Sequence, residues 1–321
     1  MELKKNCYFV KKDLKKGLVF RSTGSWYTVQ SEGVFYDCRI KGKLRLKGIK
    51  STNPVAVGDW VGFEEIPNSL KSEGVITEIQ ERKNYIVRKA VNLSKQTHII
   101  AANIDQVFLL ITFDNPPTYT AFIDRFLVTA EAYHIPVVLV FNKIDSYTQD
   151  QQNEIEKLCT LYTKIGYPTI KISALKQSNT DQIARLMKAK VSMFSGHSGV
   201  GKSTLINALA PDLELKTAPI SDQHQQGLHT TTFAEMFALP NGMKLIDTPG
   251  IKGFGIVEME AAEIGAYFPE FKFLKPNCKF HNCLHQKEPH CAVRNALEQG
   301  TIAKSRYENY LQLLENDRTY R

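Results

Sequence analysis

The chain has 321 residues, of which 43% are hydrophobic and 23% charged, and carries a formal net charge of +8 at pH 7. This composition is typical of a soluble globular protein with two or three domains, and it excludes a biased low-complexity chain. The charge is uneven, because residues 1–50 hold thirteen Lys or Arg against four Asp or Glu. A basic face favours a polyanionic partner, nucleic acid first and a membrane surface second. The alternative is a solvated lysine-rich face.

The N-terminal residues do not develop the apolar core of ~7–15 residues that a secretory signal needs. The longest apolar runs, at 107–111 and 136–141, are much shorter than the ~20 residues that span a bilayer. We therefore expect a cytoplasmic protein that does not enter a membrane. Scattered cysteines (Cys7, Cys38 and Cys159) agree with a reducing compartment, where such thiols stay unpaired.

Residues 1–95 contain many short runs that alternate apolar with polar residues between turn signals, which predicts a small β-barrel or sandwich. One strand-like stretch could present basic residues on a single face, since they fall at alternate positions. These residues are Arg39, Lys41, Lys43, Arg45 and Lys47. Three aromatic residues, Trp26, Tyr27 and Tyr36, could stack on bases, although aromatics in a small barrel more often fill its core.

Residues 96–257 change to an alternation of buried strands and helical patterns, which predicts a parallel sheet with helices on both faces. Residues 258–321 are mixed, with a Cys/His cluster and a polar helical tail. We therefore predict three domains, with boundaries near residues 95 and 257.

A phosphate-binding motif occupies residues 196–203, which read GHSGVGKS and fit G-x-x-x-x-G-K-[ST]. It follows an apolar strand and precedes a helical stretch, as this motif requires. The glycines let backbone amides face phosphates at a helix N-terminus, Lys202 can reach the β- and γ-phosphates, and Ser203 can bind Mg²⁺. The predicted phosphate-site residues are Gly196, His197, Ser198, Gly199, Val200, Gly201, Lys202, Ser203 and Thr204.

A guanine-specific element, NKID, occupies residues 142–145 at the end of a predicted strand, where open α/β sheets bind ligands. The Asp145 carboxylate can accept hydrogen bonds from the ring N–H and the exocyclic amine of guanine. Adenine lacks this donor pair, so Asp145 favours GTP over ATP. Asn142 and Lys143 brace the loop and the base. The predicted guanine site comprises Asn142, Lys143, Ile144 and Asp145, with Ser173 and Ala174 supporting the guanine oxygen through backbone amides.

Two further segments complete a GTPase set. In DTPG, residues 247–250, Asp247 can hold Mg²⁺ through water and the Gly250 amide can bond the γ-phosphate. In GLHTTT, residues 227–232, a threonine is suited to close on Mg²⁺ when GTP is bound. Any of Thr230, Thr231 and Thr232 meets this requirement, and Thr231 is the working assignment.

These elements occur in the order NKID, SAL (residues 173–175), phosphate loop, HTTT and DTPG, which is a cyclic rotation of the usual GTPase order. The former ends are joined through roughly residues 176–190. Because domain termini often lie close together, such a permutation can keep the sheet and the site intact. The segment after DTPG then leads directly into the C-terminal region, so we hypothesise that loss of the γ-phosphate moves that region.

The C-terminal cysteine cluster has the spacing C-x4-C-x-H-x5-C, formed by Cys278, Cys283, His285 and Cys291. Three thiolates and one imidazole suit a tetrahedral structural Zn²⁺ site. His281 and His290 are alternative ligands.

With VGDWV at residues 57–61, this ordered set resembles the circularly permuted, ribosome-small-subunit-dependent GTPases called RsgA or YjeQ, over nearly the whole chain. The resemblance implies a multidomain protein: an N-terminal all-β OB-fold barrel, a central α/β circularly permuted P-loop GTPase domain and a mostly helical C-terminal zinc domain. It also implies rRNA and the small ribosomal subunit as partners. It implies a role in late maturation of that subunit, which stimulates GTP turnover.

Ile251 follows DTPG where Ras-like enzymes carry a water-orienting Gln, so intrinsic hydrolysis should be slow. His229 is the candidate for positioning the water, unless it only packs within a mobile loop.

One alternative function is a nucleotide-sensing RNA-binding module without significant turnover. Another is a metabolic P-loop kinase, which NKID and DTPG argue against. We expect a monomer.

Overall fold

The computed structural model describes residues 14–42, 54–67, 71–89, 97–211, 234–247 and 259–319. Both predicted domain boundaries fall outside these ranges and stay predictions. The same holds for several predicted functional residues, namely Lys43, Arg45, Lys47, His229, Thr230, Thr231, Thr232, Gly250 and Ile251. Within the described ranges, no helix combines the length and apolarity needed to cross a membrane.

Five strands close into an N-terminal barrel in the order β1-β2-β3-β5-β4, with β4 pairing back onto β1. They are β1 (Lys15–Ser22), β2 (Tyr27–Ser31), β3 (Val34–Ile40), β4 (Trp60–Glu65) and β5 (Glu73–Ile79). Tyr27 and Tyr36 are buried in its core, whereas Trp26 is 39% exposed. The predicted barrel is confirmed, and two of the three aromatic candidates for base stacking are core residues.

The central sheet has the order β10-β9-β8-β11-β13-β12, and its strands are parallel except for β12. The strands are β8 (Gln106–Ile111), β9 (Val137–Phe141), β10 (Thr169–Lys171), β11 (Val191–Ser195), β12 (Glu235–Ala238) and β13 (Lys244–Asp247), after a hairpin of β6 (Tyr85–Lys89) and β7 (Thr97–Ala102). Helices cover both faces: α1 (Thr120–Ala132), α2 (Gln149–Ile165), α3 (Thr180–Met187) and α4 (Lys202–Leu209).

Successive residues of β8 point to opposite faces of the sheet and are buried in two different apolar cores, one on each face. This is why residues 107–111 of the strand are all apolar. Leu109 packs with α1 and α2, and Leu110 packs with α3 and α4. The predicted α/β domain is confirmed. Strand β1 also pairs antiparallel with β12 at Arg21 and Glu235, so that the barrel and the central sheet form one continuous eleven-stranded sheet.

The VGDWV segment lies at the junction between barrel and central domain. Val57 forms a parallel bridge with Ala101, and Gly58 has φ +89°, where a side chain would collide with the Ala102 carbonyl. The buried Asp59 carboxylate accepts two hydrogen bonds from Arg82, each 2.6 Å long. Burial raises the pKa of Asp59, and Arg82 acts in the opposite direction. This segment is therefore a structural joint.

The C-terminal module, residues 259–319, consists of short helices packed around one apolar core. The helices are α5 (Ala261–Ile264), α6 (Pro269–Leu274), α7 (Ala292–Glu298) and α8 (Lys304–Thr319). Phe268, Phe271 and Tyr310 are buried in this core, and Val128 of α1 belongs to it as well. The predicted mostly helical C-terminal region is confirmed, and it shares its core with the central domain.

A buried polar cluster fastens the C-terminal module to α1. The Arg306 guanidinium, 1% exposed, donates to Asp124 at 2.8 Å and to both oxygens of Glu270 at 2.7 and 3.0 Å. Asp124 also accepts hydrogen bonds from Asn309 at 2.6 Å and Tyr162 at 2.7 Å. Burial raises the pKa of Asp124, and Arg306 opposes that effect. Since each of these partners donates to Asp124, the geometry fits an ionised carboxylate.

We predict that Arg306→Met lowers the free energy of unfolding by ~3–5 kcal/mol, because it leaves the buried Asp124 charge uncompensated. Urea denaturation measures this change. The control is Arg185→Met, which removes an i,i+4 pair with Asp181 whose side chains are 72% and 67% exposed. That change should cost at most ~0.5 kcal/mol, and equal losses in the two variants would contradict the prediction.

Candidate functional site

The phosphate loop connects β11 to α4, and its three glycines adopt conformations that disfavour other residues. Gly196, Gly199 and Gly201 have φ angles of +137°, +84° and +98°. A Cβ on Gly196 would lie 2.6 Å from the Leu110 carbonyl oxygen, and one on Gly201 would collide with the Asn142 amide. The loop therefore keeps its backbone close to its neighbours, as a phosphate-binding turn at a helix N-terminus does.

Lys202 lies across this loop, where its ammonium donates to the carbonyls of Gly196 at 2.7 Å and His197 at 2.6 Å. Burial lowers the pKa of Lys202, and Asp247 acts in the opposite direction. Lys202, Ser203 and Asp247 line one cleft of about 230 Å³ together with apolar residues of β11, α4 and β13. The fold thus brings the lysine and serine of the phosphate loop next to the first residue of DTPG.

Asn142 joins the three loops that the sequence analysis assigned to nucleotide binding. This buried side chain donates to the Val200 carbonyl of the phosphate loop at 2.8 Å and accepts from the Ala174 amide at 2.9 Å. Its own carbonyl accepts from the Tyr147 hydroxyl at 3.0 Å. Segments separated by 58 and 32 residues in the chain are therefore fixed to one another by a single amide group.

The remaining NKID residues lie nearer the surface. Lys143 adopts a left-handed conformation with φ +66°, and its ammonium donates to the Asn115 carbonyl at 2.5 Å. Burial lowers the pKa of Lys143, while Asp114 and Asp145 oppose this. Ile144 and Asp145 belong to a single turn of 3₁₀ helix, and the Asp145 side chain is exposed. A carboxylate in this position is accessible to a ligand from solvent.

The SAL segment forms a tight loop beside Asn142. The backbone of Ser173 pairs in both directions with Ser178, at 3.1 and 3.0 Å, and the Ser173 hydroxyl accepts from the Lys176 amide at 3.1 Å. The Ala174 amide is already bonded to Asn142. A contact of this loop with the guanine oxygen stays a prediction.

Sequence reasoning did not single out the aromatic contacts that support the site. The Tyr147 hydroxyl accepts from the Phe113 amide at 2.9 Å while donating to Asn142. The Phe122 ring of α1 lies 4.0 Å from the His197 ring, with 36° between their planes. Burial lowers the pKa of His197, and Lys202 and Arg125 act in the same direction. No motif marks these aromatic residues, because their roles depend on packing between distant segments.

The predicted metal ligands form one cluster. The ligand atoms of Cys278, Cys283, His285 and Cys291 all lie within 4.8 Å of one another. His285 Nδ1 lies 3.4 Å from Cys291 Sγ and 3.7 Å from Cys278 Sγ. The alternative ligands, His281 and His290, are exposed and outside this group. The group has the number and type of ligands needed to hold a metal ion.

Helix α8 supports the metal cluster through two tyrosines. The Tyr307 hydroxyl donates to the His285 carbonyl at 2.6 Å, and the Tyr310 hydroxyl donates to the Leu284 carbonyl at 2.7 Å. The same helix carries Arg306. The metal cluster and the buried contact with α1 therefore share one rigid element.

Family models match most of the chain. One described as RsgA GTPase matches residues 79–257, and one described as RsgA N-terminal domain matches residues 16–76. The chain is 61% identical over 303 residues to the "Small ribosomal subunit biogenesis GTPase RsgA" of Christiangramia forsetii, covering 94% of this chain and 96% of the relative. It is 62% identical over 302 residues to the protein of the same name from Flavobacterium johnsoniae, covering 94% and 93%.

Two solved structures share the fold. The crystal structure of YjeQ from Thermotoga maritima has a TM-score of 0.77 and 36% identity, covering 94% of this chain and 98% of that one. The structure of YloQ, described as a circularly permuted GTPase, has a TM-score of 0.75 and 28% identity, covering 98% of both chains.

We predict that Asn142→Ala lowers the free energy of unfolding by ~1–3 kcal/mol, because a buried carbonyl and a buried amide lose their partner. We also expect nucleotide affinity to fall about tenfold or more, since the three loops are no longer held together. Urea denaturation and titration with fluorescent GDP measure the two effects. Asn153→Ala, an exposed asparagine on α2, is the control. Unchanged GDP affinity in Asn142→Ala would contradict the prediction.

Proposed function

Since the chain belongs to the RsgA family of GTPases, we propose that it is a GTP-hydrolysing assembly factor that binds rRNA and acts in late maturation of the small ribosomal subunit, which stimulates its GTP turnover. The observation that carries the proposal is the convergence of the phosphate loop, the NKID loop and Asp247 on one edge of the sheet. We also propose that it works in the cytoplasm as a monomer and does not enter a membrane.

In the proposed nucleotide site, Asp145 reads guanine and Asn142, Lys143 and Ile144 hold the base-binding loop. Ser173 and Ala174 flank the guanine oxygen. The phosphate loop, Gly196 to Thr204, surrounds the phosphates with backbone amides while Lys202 reaches the β- and γ-phosphates. The positive φ angles of all three loop glycines and the position of Lys202 across the loop support this assignment.

Mg²⁺ fits the oxygen donors that meet in the cleft, because Ser203 and Asp247 line it together. Bound there, the ion neutralises charge on the β- and γ-phosphates. We propose Ser203 and Thr231 as its ligands, with Asp247 acting through water and the Gly250 amide bonding the γ-phosphate. His229 is the proposed group that positions the attacking water, since Ile251 has no polar group to do so.

The rRNA contact is proposed for the outer face of the barrel. Trp26 is 39% exposed and lies in the β1–β2 turn, and the Arg39 guanidinium lies 3.9 Å from its ring centroid. Arg21 and Lys71 line the cleft beside it, together with the carboxylates of Asp37 and Glu73. A flat ring with cationic neighbours suits stacking on an unpaired base next to phosphates, and loops and strands in this position of OB-folds bind oligonucleotides.

The same face is connected to the nucleotide site. Arg21 of the cleft stands opposite Glu235, where β1 pairs with β12. In sequence, β12 follows the GLHTTT segment that contains Thr231 and His229. RNA bound to the barrel can therefore influence this segment through the shared sheet, and this supports a turnover rate that depends on the ribosomal partner.

For phosphate release, we predict slow turnover of GTP by the purified protein, a many-fold increase with small ribosomal subunits, and no turnover of ATP. If subunits do not change the rate of GTP turnover, the protein would still be a GTPase, but the small ribosomal subunit would be refuted as its partner. No turnover in either condition would favour the alternative, a nucleotide-sensing RNA-binding module.

In the same assay, His229→Ala should slow hydrolysis without weakening GTP binding, whereas a residue that only packs would leave the rate unchanged.

The matched variants for the RNA surface are Trp26→Leu and Trp26→Phe. Leucine removes the flat ring and should reduce stimulation by subunits without changing the rate in their absence. Phenylalanine keeps a ring and should retain most of the stimulation. Equal stimulation of both variants and the unmodified protein would exclude Trp26 from the contact.

We propose that the Cys278, Cys283, His285 and Cys291 cluster binds one structural Zn²⁺ ion, since three thiolates and an imidazole leave no coordination position open. Metal analysis should find one zinc per chain in the purified protein and little in Cys283→Ser. Cys159→Ser, a buried cysteine outside the cluster, is the control. Protein purified without any bound metal would contradict this assignment.

A further inference from the structure

Helix α1 contacts the phosphate loop at its first turn. The Phe122 and His197 rings lie 4.0 Å apart, and both are only partly buried. His197 also offers its backbone carbonyl to Lys202. The position of the Phe122 ring is therefore coupled directly to the segment that carries the lysine.

The residues just before α1 lie next to the same two loops. Pro116 is close to Gly199 of the phosphate loop, since a Cβ added to this glycine would lie 3.4 Å from Pro116 Cδ. The Asn115 carbonyl accepts from Lys143 of NKID. The start of α1 thus lies against both the phosphate loop and the base-binding loop.

The opposite side of α1 belongs to the C-terminal module. Asp124 is bonded to Arg306 and Asn309 of α8, and Val128 is part of the module's apolar core. Residues two positions apart in an α-helix, such as Phe122 and Asp124, are separated by about 200° around its axis and about 3 Å along it. Phe122 and Asp124 therefore point to nearly opposite sides of one turn, one toward the phosphate loop and one toward the module.

We propose that Phe122 is a positioning residue that ties the phosphate loop to the C-terminal module through α1. In this arrangement, the packing of α8 on Asp124 sets the position of the first turn of α1. Through the ring of Phe122, the first turn of α1 then sets the position of His197 and the phosphate loop. Nucleotide affinity then depends on the contacts between α8 and Asp124, which lie farther from the nucleotide than any of the predicted ligand-binding residues. Because coupling between two sites is reciprocal, bound nucleotide also strengthens the packing of the module on α1.

This inference rests on the proposed nucleotide site and is independent of the ribosomal partner. This coupling between the module and the phosphate loop does not pass through the segment after DTPG, because it needs only contacts between side chains on α1, α8 and the phosphate loop. It also differs from general support of the fold. A merely structural contact would change the free energy of unfolding without changing the affinity of the folded protein.

The test is a double-mutant cycle on GDP affinity with Phe122→Leu and Asn309→Ala. Each single variant should weaken GDP binding ~5–20-fold, within the range of coupling between sites. In the Phe122→Leu background, Asn309→Ala should have almost no further effect, because the connecting ring is gone. Fluorescent GDP titration gives the affinities, and urea denaturation of each variant gives the folded fraction.

Two further variants distinguish positioning from loss of packing. Phe122→Tyr keeps the ring against His197 and should restore nearly normal affinity. Tyr119→Leu removes an aromatic ring that is 71% exposed at the start of α1 and should leave affinity unchanged. If Asn309→Ala does not fold, Glu270→Gln replaces it, since Glu270 holds Arg306 from the module side.

Additive losses in the cycle would overturn the proposal, as would affinities that change only with the folded fraction. Equal losses in Phe122→Tyr and Phe122→Leu would also overturn it. Failure of the unmodified protein to bind GDP would be a different result, because it would refute the nucleotide site on which the inference rests.

Discussion

The buried side-chain amide of Asn142 is the interaction on which the geometry of the proposed nucleotide site depends. Its two polar atoms bond the phosphate loop and the SAL loop, and its backbone carbonyl is fixed by Tyr147. None of these bonds depends on the order of the segments in the chain. A rotated sequence can therefore assemble the same edge of the sheet, provided that strands β8, β9 and β11 keep their neighbours and register. The permutation changes which segments are covalently joined, and it leaves this three-loop contact intact.

Two buried ion pairs hold the three parts of the protein together. Asp59 and Arg82 fix the junction between barrel and central domain, and Asp124 and Arg306 fix the C-terminal module on α1. Burying charge in this way contributes little net stability compared with apolar contacts of similar volume. It does impose one geometry, because each carboxylate must meet donors at defined positions. Together with the β1–β12 pairing, these two contacts determine how the surfaces of all three parts are oriented around the nucleotide site.

Sequence patterns were sufficient for features encoded locally. The glycines of the phosphate loop and the alternating strands of the barrel follow from backbone preference and a period of two. Tyr27, the first residue of β2, is buried, whereas Trp26 is exposed in the preceding turn, to which this period does not apply. The choice of His285 over His281 and His290 could not be made from spacing, since all three lie within reach of the cysteines along the chain. The Phe122–His197 contact, 75 residues apart in sequence, depends entirely on how α1 is placed.

The C-terminal module is connected to the nucleotide site in two independent ways, and this follows from the permutation. Rotation of the sequence makes the strand that ends at Asp247 the last in chain order among the strands that the structure describes, and the chain leads from DTPG into the module. The module then returns to the central domain through α8 and its contacts with Asp124. The module is thus joined to the proposed site by the chain that follows Asp247 and by the packing of α8 on α1. In the coupling that we propose, a displacement of the module would reach the phosphate loop by two routes, whereas a C-terminal extension without the α8 contacts would have one.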